Sequence, residues 1–141
     1  MGGRGASGLD LSYQGRNYGS GKATSNGINA LQMKQNLQKV NSLAIESPLV
    51  SEALQQIERI SSKTDRIKIY RATVGDSINT GDWIFLSRAQ AENWTKTAFG
   101  TPKPGVKVIE ATAKAENVDW TGKNLEFVYK GKHRIKNDVE F

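Results

Sequence analysis

The chain has 141 residues, a formal net charge of +6 and a hydrophobic fraction of 37%, enough for one compact domain around one core. It has no cysteine and one histidine, His133, which excludes disulfides, cysteine metal sites and a two-histidine acid–base pair. The positive charge is spread along the chain, which suits nucleic acid, an acidic partner or a phosphorylated ligand and selects none of them. No apolar run nears the roughly 20 residues that span a bilayer. The opening M-G-G-R-G-A-S-G lacks the apolar core of a secretory signal, so no membrane partner is expected.

Residues 1–27 are rich in Gly, Ser and Asn with little to bury, and read as a flexible tail. Tyr13, Tyr18, Arg4, Arg16 and Lys22 in it suit RNA or a partner by stacking and charge. A solubilising leader is the simpler reading and the one preferred. Residues 28–141 read as a single domain. Ile28, Leu31, Leu37, Val40 and Ala44 keep near-helical spacing and predict a helix over 29–45. Ser47 and Pro48 restart the chain as N-cap and first helical residue. Leu49, Ala53, Leu54, Ile57 and Ile60 then give a second helix its buried face, ending near Ser61 and Ser62. Residues 28–62 thus predict a helical hairpin packed on the sheet-rich core of 66–137.

Residues 67–74 are rich in β-branched side chains and predict a strand. Gly75, Asp76, Asn79 and Gly81 make a turn-rich connection. Residues 83–86 predict a second strand, after which the pattern turns helical at Ser87. Pro102 and Pro104 make 101–105 a loop. Residues 106–111 predict a strand, 113–118 are ambiguous and 119–123 read as a turn. Residues 125–130 predict a strand, Gly131 a hairpin turn and 132–136 the return strand. The order argues an α+β fold with a mostly antiparallel sheet.

Arg71 stands among Ile, Tyr, Ala and Thr, where a guanidinium needs an anion. That anion is an internal carboxylate or a ligand phosphate, which arginine's planar fork fits. Ser87 with Gln90 forms a capping box that starts a helix, and a helix N-terminus also suits an anion. A hydrolase nucleophile is not expected there, because no G-x-S-x-G elbow surrounds it. Glu126 opens an apolar strand. It is either a solvent-facing edge position or a carboxylate that stabilises positive charge as a glycosidic bond breaks. Asp82, Asp119 and Glu110 rank lower, since turns account for the two aspartates. Trp83, Trp94 and Trp120 are expected in the core, with Trp94 or Phe99 as a wall for a ring-binding pocket.

Three strings of residues carry a resemblance: Tyr70-Arg71-Ala72, then Gly81-Asp82-Trp83-Ile84-Phe85-Leu86-Ser87-Arg88, then Val118-Asp119-Trp120-Thr121-Gly122 followed by Glu126-Phe127-Val128-Tyr129. Over residues 67–130 this order resembles the Arg–Ser–Glu layout of the ADP-ribosyltransferase-like domains of phage and plasmid polyvalent proteins. The resemblance implies a split β-sandwich that binds NAD+ between two small sheets, without a metal. It implies that Arg71 holds the NAD+ phosphates, aided by Tyr70, Trp94 and Phe99 around the cofactor. Ser87 then supports the nicotinamide ribose and the catalytic acid. Glu126 then stabilises the oxocarbenium-like ion as nicotinamide leaves.

Asn124 stands where many members that modify proteins have Glu or Gln, and Leu86 where a threonine is common. NAD+ hydrolysis, transfer to another acceptor and a binding-only domain therefore remain alternatives. The leading expectation is a phage- or mobile-element-encoded enzyme acting on a host macromolecule in the bacterial cytoplasm. The other is a non-enzymatic small phage protein that binds a host factor or nucleic acid. The two separate on whether Arg71, Ser87 and Glu126 converge on one cleft.

Overall fold

The computed structural model describes residues 22–35, 48–122 and 125–136. In chain order its elements are α1 (Ala30–Lys34), a 3-10 turn (Pro48–Val50), α2 (Ser51–Arg59), β1 (Arg66–Thr73), β2 (Ser77–Ile78), β3 (Trp83–Ile84), α3 (Arg88–Asn93), β4 (Lys107–Lys114), a 3-10 turn (Ala115–Asn117), β5 (Val118–Trp120), β6 (Phe127–Tyr129) and β7 (Ile135–Lys136). The fold is α+β with small antiparallel sheets.

The alternation in β1 is clear at first, with exposed Arg66 and Lys68 against buried Ile67 and Ile69. From Tyr70 to Ala72 both faces are buried, because helices cover the sheet on both sides there. β1 pairs with β4 in a register that sets Arg66 opposite Lys114 and Tyr70 opposite Glu110. A single antiparallel pair, Tyr70 with Phe85, ties β1 to the strand that continues β3; its two backbone bonds measure 2.9 and 2.8 Å. β3 pairs with β6, and β6 with β5. The strands therefore lie side by side in the order β4, β1, β3, β6, β5. One cluster joins Ala30 and Met33 of α1, Ala53 and Ile57 of α2, and Ile69, Ile84 and Phe127 of the sheet. On the other face Tyr70, Trp83 and Phe85 pack with Ala91 and Trp94 around α3.

Several boundaries differ from expectation. α1 is described only as Ala30–Lys34, capped by a box between Asn29 and Gln32. The rest of the helix expected over 29–45, and Ser47, lie outside the described residues. So does the connection of the expected hairpin, although α1 and α2 share a core. Pro48 opens a 3-10 turn, and α2 begins at Ser51. Residues 118–120, expected partly as turn, form β5, because Val118 and Trp120 bury their side chains beside β6.

The hairpin expected at Gly131 does not form. β7 pairs instead with Ser77–Ile78, expected as turn. Tyr129 explains the departure: its hydroxyl donates to the His133 carbonyl at 2.6 Å, which swings the chain away from β6. Residues 22–26, expected in the tail, run against the sheet through Ala23 N to Gly81 O at 2.9 Å and Asn26 N to Trp120 O at 3.0 Å. The remainder of the tail lies outside the described residues.

Candidate functional site

Arg71 follows directly on Tyr70, the one residue of β1 that pairs with the β3 strand. Its Nη1 donates to the Trp83 carbonyl at 2.9 Å, and its Nε lies 3.4 Å from Asp82 Oδ2. Both side chains are buried. Burial pulls the guanidinium below the usual arginine pKa, and the Asp82 charge opposes that pull. Asp82 also accepts from the Asn79 amide at 2.7 Å and meets exposed Lys22 at 2.9 Å. Asp82 is the internal carboxylate that was one of the two expectations for Arg71. A turn alone does not account for Asp82. The signal for it was its place at the head of the neighbouring strand, beside a buried cation.

Ser87 is the N-cap of α3, with extended backbone, and accepts from the Gln90 amide at 3.4 Å. Its hydroxyl donates to the Leu49 carbonyl, which ties α3 to the turn before α2. The Arg88 amide donates to Glu52 Oε1 at 2.9 Å. A carboxylate of this chain therefore already occupies the helix start that could have met a ligand anion. Glu52 also accepts from the Tyr70 hydroxyl. Burial, and then the bond and charge of Glu52, push the Tyr70 pKa well above its ordinary value. Sequence reasoning missed Glu52, which is half-buried beside the apolar stripe of α2 and belongs to no motif.

Glu126 is fully buried, which overturns the solvent-facing edge expectation. Its carbonyl accepts from the Thr121 amide and hydroxyl, both at 3.1 Å, fixing the turn between β5 and β6. Continuing the β3–β6 register one step sets Glu126 opposite Phe85. Alternation then puts it on the side of Tyr70, Phe85 and Trp94, and puts Arg71 with Ile69 on the other.

The three expected site residues thus sit on neighbouring strands, with Ser87 and Glu126 near adjoining strand ends. Arg71 and Glu126 do not share a face. Trp94 is buried and stacked on Phe85 with centroids 6.4 Å apart, and the Lys103 ammonium lies 5.9 Å from its ring centre. Its ring is buried in the core, as for Trp83 and Trp120. Phe99 is 95% exposed on a loop. Asn124 lies outside the described residues.

Two clefts open elsewhere. One, about 610 Å³, lies between α2 and β1 and is lined by Glu52, Gln56, Arg59, Arg66, Lys68 and Thr112 among others. The second, about 370 Å³, is lined by Arg66, Thr112, Lys114, Tyr129, Lys132 and His133 among others. Neither includes Arg71, Ser87 or Glu126. Among the described residues no group of three or more His, Asp or Glu side chains is placed to hold a metal ion, and no helix is long and apolar enough to cross a membrane. No protein-family model matches the chain, and neither a curated protein nor a solved structure matches it at a significant level.

Proposed function

We propose that this chain is an ADP-ribosyltransferase-like protein of a phage or mobile element. In this reading it binds NAD+ and cleaves the nicotinamide bond, passing ADP-ribose to a host macromolecule or to water. The observation that carries the reading is strand neighbourhood. The strand of Arg71, the strand running into Ser87 and the strand opened by Glu126 lie side by side in the sheet, although residues 88–125 separate the last from the other two. Buried carboxylates are uncommon and are concentrated at functional sites.

The sheet on either side of the Tyr70–Phe85 pair supplies the two halves of a split sandwich in this reading. Glu126 stabilises the positive charge that develops as nicotinamide leaves. Ser87 holds the acid's neighbourhood by fixing α3. For Arg71 to hold a pyrophosphate, its planar fork must exchange one anion, Asp82, for another.

A second reading, a non-enzymatic binding protein, is favoured by the Arg71–Asp82 pair and by the opposite faces of Arg71 and Glu126. Calorimetric titration with NAD+ separates the two. The enzyme reading expects binding by the wild type, loss in Arg71→Ala and little recovery in Arg71→Lys, which lacks the bidentate fork. Thermal denaturation of each variant checks that it is folded. Equal affinity in wild type and Arg71→Ala removes the arginine assignment, and no binding by the wild type leaves the second reading.

A further inference from the structure

The cleft at the outer end of β1 and β4 collects Arg66, Lys114, Lys132 and His133, all exposed, and no Asp or Glu lines it. Among the described residues none of these three Lys and Arg side chains pairs with a carboxylate. Arg66 and Lys114 are direct cross-strand partners, an arrangement of like charges that weakens a sheet. An anion between them offsets that repulsion.

The loop bringing Lys132 and His133 is held in place before any ligand arrives. Tyr129 donates to the His133 carbonyl at 2.6 Å. Thr80 donates to the Gly131 carbonyl. A Cβ on Gly131 would overlap the Tyr129 phenol, so only glycine lets the loop lie this close. Arg66 and Thr112 also line the cleft beside α2, but Glu52 and Asp65 balance Arg59 and Lys68 there, so the unbalanced positive charge is confined to the outer cleft.

We infer that this cleft docks the sugar–phosphate backbone of single-stranded nucleic acid, RNA or DNA. A cleft of about 370 Å³ suits one strand's backbone, and its cations act on phosphate without reading bases. Of the two rings that line it, the Tyr129 phenol is buried and only the His133 imidazole is exposed, so charge rather than stacking dominates. The inference stands apart from the NAD+ reading, and its test contains no NAD+.

The test is fluorescence anisotropy with labelled 20-nucleotide RNA and DNA single strands, a DNA duplex and anionic phosphatidylserine vesicles, using the full chain. Binding of a single strand should weaken with salt at a log–log slope of about −2, three phosphates at roughly 0.7 each. That is about a 15-fold loss between 50 and 200 mM salt. Lys114→Glu with Lys132→Glu, or the milder Lys114→Gln with Lys132→Gln, should weaken binding at least tenfold and flatten the slope. Lys96→Glu with Lys107→Glu changes net charge equally at exposed positions outside the cleft and should leave most of the affinity. Binding to either single strand with this pattern supports the inference. Preference for the duplex or vesicles, equal loss in both pairs of variants, or no binding of single strands overturns it.

Discussion

Arg71 and Asp82 form a buried ion pair, 3.4 Å between Nε and Oδ2, with side-chain exposures of 9% and 4%. The pair spans the point where β1 and the β3 strand part after their single shared rung at Tyr70 and Phe85. The Trp83 carbonyl, at 2.9 Å from Nη1, completes the clamp. Its role follows from this position: it closes the seam of the sheet where backbone bonds stop.

Removing Asp82 should cost more than the pair itself contributes, because it strips a buried cation of a counter-charge. Asp82→Ala is expected to destabilise the protein by about 3–5 kcal/mol in urea unfolding. The double variant Arg71→Met with Asp82→Leu should recover much of that loss. A loss under about 1 kcal/mol for Asp82→Ala, the range of exposed pairs, would contradict the clamp. Lys22 contributes little, since its side chain is 65% exposed where it meets Asp82.

Asp65 gives a pH signature. It accepts from the Ser61 amide at 2.8 Å, the Ser61 hydroxyl at 3.0 Å, the Ser62 amide at 3.2 Å and the Ser62 hydroxyl at 3.0 Å. These bonds, the Ser61 amide first, lower its pKa from 3.8 to about 2. The folded value lies below the unfolded one, so the stabilisation is fully present above pH 3.8 and is lost as pH falls through about 2. Acid unfolding of Asp65→Asn should lack this part of the pH dependence. An unchanged acid limb would show that the bonds do not hold the carboxylate in solution.

Gly131 is predicted to tolerate no side chain. Gly131→Ala must push aside the Tyr129 hydroxyl and ring carbons, at a cost of about 1–3 kcal/mol typical of overpacking. Tyr129→Phe removes only the bond to the His133 carbonyl, worth about 1 kcal/mol. Differential scanning calorimetry should rank the two in that order. Equal melting of Gly131→Ala and wild type would mean that the loop carrying Lys132 and His133 lies elsewhere.

What was legible in the sequence was the part written in periodicity. Ile67, Ile69 and the apolar run after them mark β1, and Ser87 with Gln90 marks the start of α3, because local chemistry decides both. The pairing of Ile135–Lys136 with Ser77–Ile78 was not legible. It depends on Tyr129 reaching forward to His133, a side-chain bond that no spacing rule encodes. The burial of Glu126 was not legible for a similar reason: only the lateral pairing of β5, β6 and β3 reveals that its strand is central, which removes the edge alternative. Arg71 was legible as a buried cation, but its partner depended on which strand lies next to β1. The cleft around Arg66, Lys114 and Lys132 was invisible because its residues come from three separate segments.

The central claim is that Glu126 stabilises charge as the nicotinamide bond breaks, and nicotinamide release from NAD+ tests it most directly. Release is followed by chromatography, with water or host extract as acceptor, for wild type and Glu126→Gln, with melting curves confirming that both are folded. The account predicts measurable release by the wild type. Glu126→Gln should bind NAD+ nearly as well yet turn over about 10²–10³-fold more slowly, as when one preorganised stabilising group is lost. A wild type that releases no nicotinamide with any extract, or equal rates in the two proteins, would contradict it.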